Sequence, residues 1–308
     1  MQGIQYLCGC CISAVEIMNR TYEIRSLEGT SQAVVTDAFM NAFGDYNVQF
    51  SEAKLRDMLR RRGFDMRLSF GAFMDGRLVS FILNGIGTYA GAGLCAYDTG
   101  TGTVKECRGM GLTDRIFSYA LPFLREAGVE RYLLEVLQDN EPAVRIYTRQ
   151  GFDIVRHYNC YAAGREEIHS PEAMAGRPAL MIERAPAAEA AELAVGWSDS
   201  VPSWQNSLES VVRAGKAMEA LVAYVDGEPA GAGVTEPAYG DLALIAVKPE
   251  FRRRGVGRTL LAAMMEICEP EVCRIVNVDA EDAAFNAFLS SCGFALTCRQ
   301  YEMTRAVG

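Results

Sequence analysis

Apolar residues along this chain fall into two spacings, alternate positions and helical positions, and the order in which these spacings succeed one another is gone through twice. Tyr22 to Leu27 alternates as an opening strand. Ser31 stands as the cap of a helix whose apolar stripe is Val34, Val35, Ala38, Phe39 and Phe43. A second helix is expected from Ser51, with Lys54 to Arg62 forming a basic, solvated side. Leu68 to Met74 and Leu78 to Asn84 read as strands around the hairpin turn Asp75-Gly76. In the next strand, Leu94 to Val104, glycines alternate with threonines, and a glycine inside a strand marks a bulge or a close approach. There follow a helix from Asp114 to Ala127, a strand from Glu130 to Val136 and a helix with Pro142 in its first turn and Gly151 at its end. Phe152 to Tyr161 is expected to complete the first sheet.

Ala162 to Arg177 has no period and is rich in Gly, Glu, Ser and Pro, so a domain boundary is placed there. The pattern then restarts. Ala179 to Arg184 is a strand, Pro186 to Val195 and Pro202 to Ala214 are helices, and Glu219 to Val225 and Pro229 to Thr235 repeat the hairpin around Asp226-Gly227. Asp241 to Val247 is a buried strand, Arg258 to Ile267 a helix, Arg274 to Val278 a strand and Glu281 to Cys292 a helix leading into Gly293-Phe294. At 308 residues the chain is longer than one hydrophobic core usually supports. The expectation is a mixed α/β protein of two tandem domains, 21–162 and 178–308, with an extension at 1–20 and a linker at 163–177.

Composition narrows the class. No apolar run approaches the roughly 20 residues that span a bilayer, and Ile4 to Ile17 carries Glu16 and lacks a basic leader, so a cytoplasmic protein without a membrane partner is expected. Cys8, Cys10 and Cys11 do not have the spacing of the common zinc modules, and the chain has only two histidines, His157 and His169, so no metal is expected. The other cysteines suit small core residues in a reducing compartment. A net charge of −9 argues against nucleic acid as a partner and is compatible with a cationic acceptor such as an amine.

One stretch holds the chemistry. From Val247 to Leu261 an apolar strand passes into a helix through Lys248-Pro249-Glu250-Phe251-Arg252-Arg253-Arg254-Gly255-Val256-Gly257. A helix N-terminus offers unpaired N–H groups and partial positive charge, and glycines there let a phosphate reach the backbone. The neighbouring arginines add planar donors. The arrangement has a second copy 144 residues earlier, where Arg108-Gly109-Met110-Gly111 stand in the same frame, with Thr113 in the place of Gly257 and Lys105 in that of Pro249.

The pattern Arg252-x-x-Gly255-x-Gly257 resembles the acyl-CoA pyrophosphate loop of the GCN5-related N-acetyltransferases, the GNAT superfamily. Asn140, Ala143, Tyr147 and the Gly151-Phe152 exit resemble its second characteristic segment. The corresponding residues of the second half, Asp282, Phe285 and Leu289, depart from it. The resemblance implies two tandem GNAT folds, each a mostly antiparallel mixed sheet flanked by helices. It implies acetyl-CoA as co-substrate, held by Arg108, Gly109, Gly111, Thr113 and Asn140 in the first half and by Arg252, Arg253, Arg254, Gly255 and Gly257 in the second, with Thr103, Val104, Ala246 and Val247 at the strand ends. It further implies Tyr147 as the general acid facing the thioester sulfur; the alternative is that Asn140 only caps a helix and Tyr147 only fills a core.

An ammonium acceptor must lose a proton before attack, at a cost of about 4 to 5 kcal/mol near neutrality for a lysine-like amine. Asp98, beside the Thr/Gly strand, is the candidate base, with Glu135 behind it. The expected reaction is direct attack by a primary amine of a small molecule or peptide on acetyl-CoA, in a monomer or homodimer with the first domain catalytic. Catalysis in the second domain, or acyl-CoA binding without turnover in a regulatory protein, are the alternatives.

Overall fold

A computed structural model describes residues 21–44, 51–168 and 180–308. The three cysteines near the N-terminus, most of the expected linker and the stretch 45–50 lie outside them. In the first half the elements are β1 (Glu23–Ser26), α1 (Gln32–Phe43), α2 (Glu52–Arg61), β2 (Phe70–Met74), β3 (Arg77–Tyr89), β4 (Ala92–Thr103), α3 (Leu112–Glu126), β5 (Arg131–Leu137), α4 (Glu141–Arg149) and β6 (Asp153–Gly164). In the second they are β7 (Leu180–Ala185), α5 (Ala187–Trp197), α6 (Leu208–Ala214), β8 (Glu219–Val225), β9 (Glu228–Glu236), β10 (Asp241–Val247), α7 (Val256–Glu266), β11 (Val272–Asp279), α8 (Ala283–Ser291) and β12 (Ala295–Ala306).

Local chemistry accounts for most of these boundaries. Ser31 and Ser51 accept the N–H of Val34 and Lys54 and so open α1 and α2. Asp75-Gly76 and Asp226-Gly227 both take positive φ, at 51° and 78° and at 52° and 84°, the backbone that lets two-residue hairpins follow the strand twist. Gly100 and Gly102 of β4 make room for α1. A Cβ on Gly102 would lie 2.6 Å from the Phe81 ring and 3.0 Å from Ala42 of α1. Gly233 of β9 is likewise pressed by Met264 of α7. The α6 helix starts later than its sequence suggests, because Trp204 to Asn206 form a separate 3₁₀ turn ahead of Ser207, whose side chain caps it.

All twelve strands join in one sheet, ordered β1-β2-β3-β4-β5-β12-β6-β11-β10-β9-β8-β7. Pairings are antiparallel except β4 with β5 and β10 with β11, each bridged by a crossover helix. The two halves exchange their last strands. β12 pairs with β5 of the first half from Ala306↔Arg131 to Gln300↔Leu137, and β6 pairs with β11 of the second. The strand from Phe152 onward therefore does not complete the first sheet as its position in sequence suggests; it inserts beside β11, and β12 takes the place next to β5. Nothing local in either strand distinguishes one neighbour from the other, since both have apolar and polar residues in similar alternation.

Core clusters lie on both faces of each half, the largest beneath α7 and beneath α3. The halves are also locked by Trp204, which is buried, stacks on Tyr97 of the first half at 5.2 Å and donates its Nε1–H to Arg62 O at 3.0 Å. Such an aromatic pair contributes about 1 kcal/mol beyond the area it buries. The basic side of α2, expected from the sequence to be solvated throughout, is not: Arg61 is only 6% exposed. Among the described residues no helix is long and apolar enough to cross a membrane, no group of side chains has the makings of a metal site, and the seven cysteines are free.

Candidate active site

Each half contains a fork. In the second half the parallel pair β10 and β11 is joined only at Asp241↔Arg274. A bulge at Leu242 to Leu244 bends β10, and another between Ile275 and Val278, with Asn277 at φ 59°, bends β11. Bulges bend a strand and increase its twist, so the two strands splay apart beyond the crotch. The groups of residues 242–247 that point toward β11 are left without a strand partner. Between the prongs opens a cleft of about 430 Å³, lined by Leu244, Ala246 and Val247 on β10, Asn277 on β11, and Phe285 and Phe288 on α8.

The glycine and arginine loop forms one border of this cleft. Gly255 at φ 89° caps α7, and the first backbone bond of the helix runs from Thr259 N–H to Gly255 O at 3.1 Å. The N–H groups of Val256, Gly257 and Arg258 therefore have no acceptor one turn earlier and remain for an anion. A Cβ on Gly257 would meet both Phe288 and Val247 at 3.3 Å, so glycine keeps this edge of the cleft open. Arg253, at φ 64°, and Arg258 also line it, and Arg258 donates to Ser291 O at 2.6 Å. Arg254 leans over the Phe251 ring at 5.5 Å. Arg252 also lines the cleft, and its guanidinium ties the loop down: its Nε donates to Val247 O at 3.0 Å, its Nη2 to Trp197 O at 2.8 Å, and its Nη1 pairs with Asp199 at 2.7 Å.

The first half repeats the frame and fills it. Arg108 clamps Thr103 O at 3.2 Å and Ala42 O at 2.8 Å, as Arg252 clamps Val247 and Trp197. The N–H of Val104 donates to Val79 O, and Gly109 and Gly111 take φ of 79° and 68°. The β4–β5 pair holds from Cys95↔Arg131 to Tyr97↔Leu133, and beyond it the wedge is occupied by Asp98, Tyr132, Tyr147 and Phe152, with a volume of about 0 Å³. Asp98 accepts from Gly100 N–H at 2.9 Å, Thr101 Oγ1 at 2.7 Å and the Tyr147 hydroxyl at 3.3 Å. Desolvation nevertheless raises its carboxyl above the usual range. The Tyr147 ring packs edge-on against Phe152 at 5.9 Å, and Asn140 caps α4 by accepting Ala143 N–H at 3.3 Å.

Charge divides the halves further. At the position of Arg258 the first half has Asp114, in the first turn of α3, tied to Gln150 at 2.8 Å and Arg149 at 3.5 Å. An acid there competes with a phosphate for the helix N-terminus, whereas the arginine in α7 favours one. Glu135, the second candidate base, accepts from the Tyr97 hydroxyl at 2.9 Å and Gln205 Nε2 at 2.6 Å, and desolvation raises it above the carboxylate range. It belongs to the contact between halves.

The structure thus brings Ala246, Val247, Arg253, Gly255 and Gly257 together around an open cleft, and brings Asp98, Thr113 and Tyr147 together around a closed one. Sequence reasoning missed Phe285, Phe288 and Arg258. Phe285 reads in the sequence only as a departure from the family segment, Phe288 carries no signal there, and Arg258 stands one residue past the motif, where comparison with Asp114 exposes the charge reversal. A pyrophosphate fits the free first-turn N–H groups and the two arginines of the second half, and an extended amide-bearing arm fits the unpartnered edge of β10.

Comparison with known proteins bears on the family and the fold. The model of the Acetyltransferase (GNAT) family matches residues 35–152 and again 191–294. A tandem GNAT protein from the clavulanic acid biosynthesis pathway superposes with a TM-score of 0.68 at 18% identity, covering 94% of this chain and 99% of that one. A GCN5-related N-acetyltransferase from Sphaerobacter thermophilus superposes with a TM-score of 0.66 at 16% identity, covering 93% and 96%. N-alpha-acetyltransferase 30 of Schizosaccharomyces pombe is 29% identical over 99 residues, which is 32% of this chain and 66% of that protein, so less than two thirds of its length is spanned. With the family model matched in both halves and the order of elements run through twice, the chain belongs to the acetyltransferase (GNAT) family as a tandem member.

Proposed function

We propose that the protein transfers an acetyl group from acetyl-CoA to a primary amine of a small molecule or peptide, and that the transfer takes place in the cleft of the second half. The observation that carries this reading is the contrast between the forks, about 430 Å³ open in the second half against about 0 Å³ in the first. When bound, acetyl-CoA supplies an activated thioester carbon for the amine to attack, with loss of the thiolate and no covalent enzyme intermediate.

The chain's own groups have distinct tasks in this reading. The first-turn N–H groups at Val256 to Arg258, with Arg253 and Arg258, hold the diphosphate, and Gly257 leaves room for it. Arg252 keeps the loop in place through Val247 O and Trp197 O. The unpartnered groups of β10 align the arm and polarise the carbonyl, and Phe285 and Phe288 exclude water from it. The second half has Leu289 where the first has Tyr147. A thiol with a pKa near 8.5 leaves as thiolate without a strong acid, so the proton shed by the attacking nitrogen suffices to neutralise it.

Gly257→Val is the direct test: CoA binding, measured by calorimetry, and thiol release with a panel of amines are both expected to fall to background. Tyr147→Phe is expected to leave both within about twofold, since its loss is outside the reacting centre. Loss of turnover in Tyr147→Phe, with Gly257→Val active, would move catalysis to the first half.

A further inference from the structure

Arg61 sits in the last turn of α2, in the first half, yet among the described residues its guanidinium bonds only to groups of the second half. Nε donates to Gln205 O at 3.0 Å, Nη1 to Glu236 Oε2 at 2.8 Å and to Asp241 Oδ2 at 3.5 Å, and Nη2 to Asn206 Oδ1 at 2.9 Å. Asp241 is the residue at which β10 pairs with β11, and its carboxylate also receives Arg274, its partner across that pair. Asn206 turns its amide nitrogen to Val276 O on β11 at 2.9 Å, two residues past the crotch. One planar donor therefore holds one prong of the fork through Asp241 and the other through Asn206. Both Asn206 and Val276 line the cleft.

We infer that Arg61 is a positioning residue, through which the first half, its own fork filled, sets the opening of the second half's catalytic cleft. The inference rests on the second-half cleft being the site of transfer. Burial supports a geometric role. The side chains of Arg61 and Glu236 are 7% and 4% exposed, and a buried ion pair of this kind adds little stability over an apolar pair while fixing where its partners lie. Arginine is required because its fork serves four acceptors at once; an ammonium keeps the charge against Glu236 but cannot span Gln205 O and Asn206 together. Reaction geometry is steep: a displacement of about 1 Å costs up to about 100-fold in rate.

Arg61→Lys and Asn206→Leu test the chain of contacts at its two links. Each is expected to lower kcat by about tenfold while the calorimetric Kd for CoA, set at the α7 loop, stays within about twofold. The double variant is expected to lose no more than either single one, since both break one path. Hydrogen exchange at residues 275–278 is expected to quicken in both. Unchanged kcat and exchange in Arg61→Lys, additive losses in the double variant, or CoA affinity falling in step with kcat would each overturn the inference. Asn206→Leu leaves the buried ion pair whole, so the test survives if Arg61→Lys does not fold. Failure of the underlying reading looks different: Gly257→Val would then bind CoA and turn over as the unaltered protein does.

Discussion

Tyr301, close to the end of the chain, lies between Val136 of the first half and His157, paired with both across neighbouring strands. The last strand of each half is thus an internal strand of a sheet begun by the other. A half expressed alone, 21–168 or 180–308, would have β5 or β11 with an open edge where its neighbour should be. Neither is expected to give a soluble, cooperatively unfolding species by itself, and co-expression is expected to restore a one-to-one complex in size-exclusion chromatography. A stable, monomeric first half on its own would contradict the exchange.

The end of α2 is held so close to β3 that only glycine fits between them. A Cβ on Gly85 would lie 2.0 Å from Arg62 O, a backbone atom that cannot swing aside. Gly85→Ala is expected to destabilise the protein by about 2 to 4 kcal/mol in denaturant titration, the range of severe overpacking. Gly196→Ala is the contrast: it lies within α5 with nothing near its Cβ position, and should stabilise by about 0.5 to 1 kcal/mol through helix propensity.

Reversing the charge at the start of α7 should reproduce the first half's condition. Arg258→Asp places an acid where Asp114 stands in α3. The loss of a favourable charge and the gain of an unfavourable one at a helix N-terminus amount to about 1 to 2 kcal/mol, or about tenfold in Kd for CoA. The effect should shrink as salt rises. Equal CoA affinity in the variant at low salt would remove the loop from the diphosphate site.

Glu135 gives a pH signature. Its folded-state pKa lies above the ordinary 4.5 because burial disfavours the carboxylate. The folded protein therefore holds this proton more tightly than the unfolded chain, so the stability contributed by the group is fully present below 4.5 and lost as pH rises through the higher folded value. Glu135→Gln, which has no such proton to lose, should gain stability relative to the unaltered protein as pH goes from 4.5 to 8 in thermal melts. A difference that stays constant across that range would refute the assignment.

Much of the candidate site's frame was legible from residues near one another in sequence. The serine caps, the two Asp-Gly hairpins, the two glycine loops at helix starts and the doubling of the whole pattern follow from backbone preferences and periodicity, which act over a few residues. Family resemblance extended this to acetyl-CoA and to the tandem arrangement. Tyr147 shows where local reading stops. Its segment matches the family well, yet its hydroxyl is turned onto Asp98 in a filled wedge, because the size of a cavity depends on what several distant strands and helices bring to one place.

The sequence by itself determined the elements, their twofold repetition and the glycine-rich loop at each helix start, since each depends on contacts within a turn or two of helix or across one hairpin. Only the tertiary structure decided which fork stands open, that the last strands are exchanged, and that Arg61 of the first half reaches the crotch of the second. Those outcomes are set by volumes and pairings between residues more than a hundred positions apart, such as Arg61 with Glu236 or Val136 with Tyr301, and no local pattern encodes them.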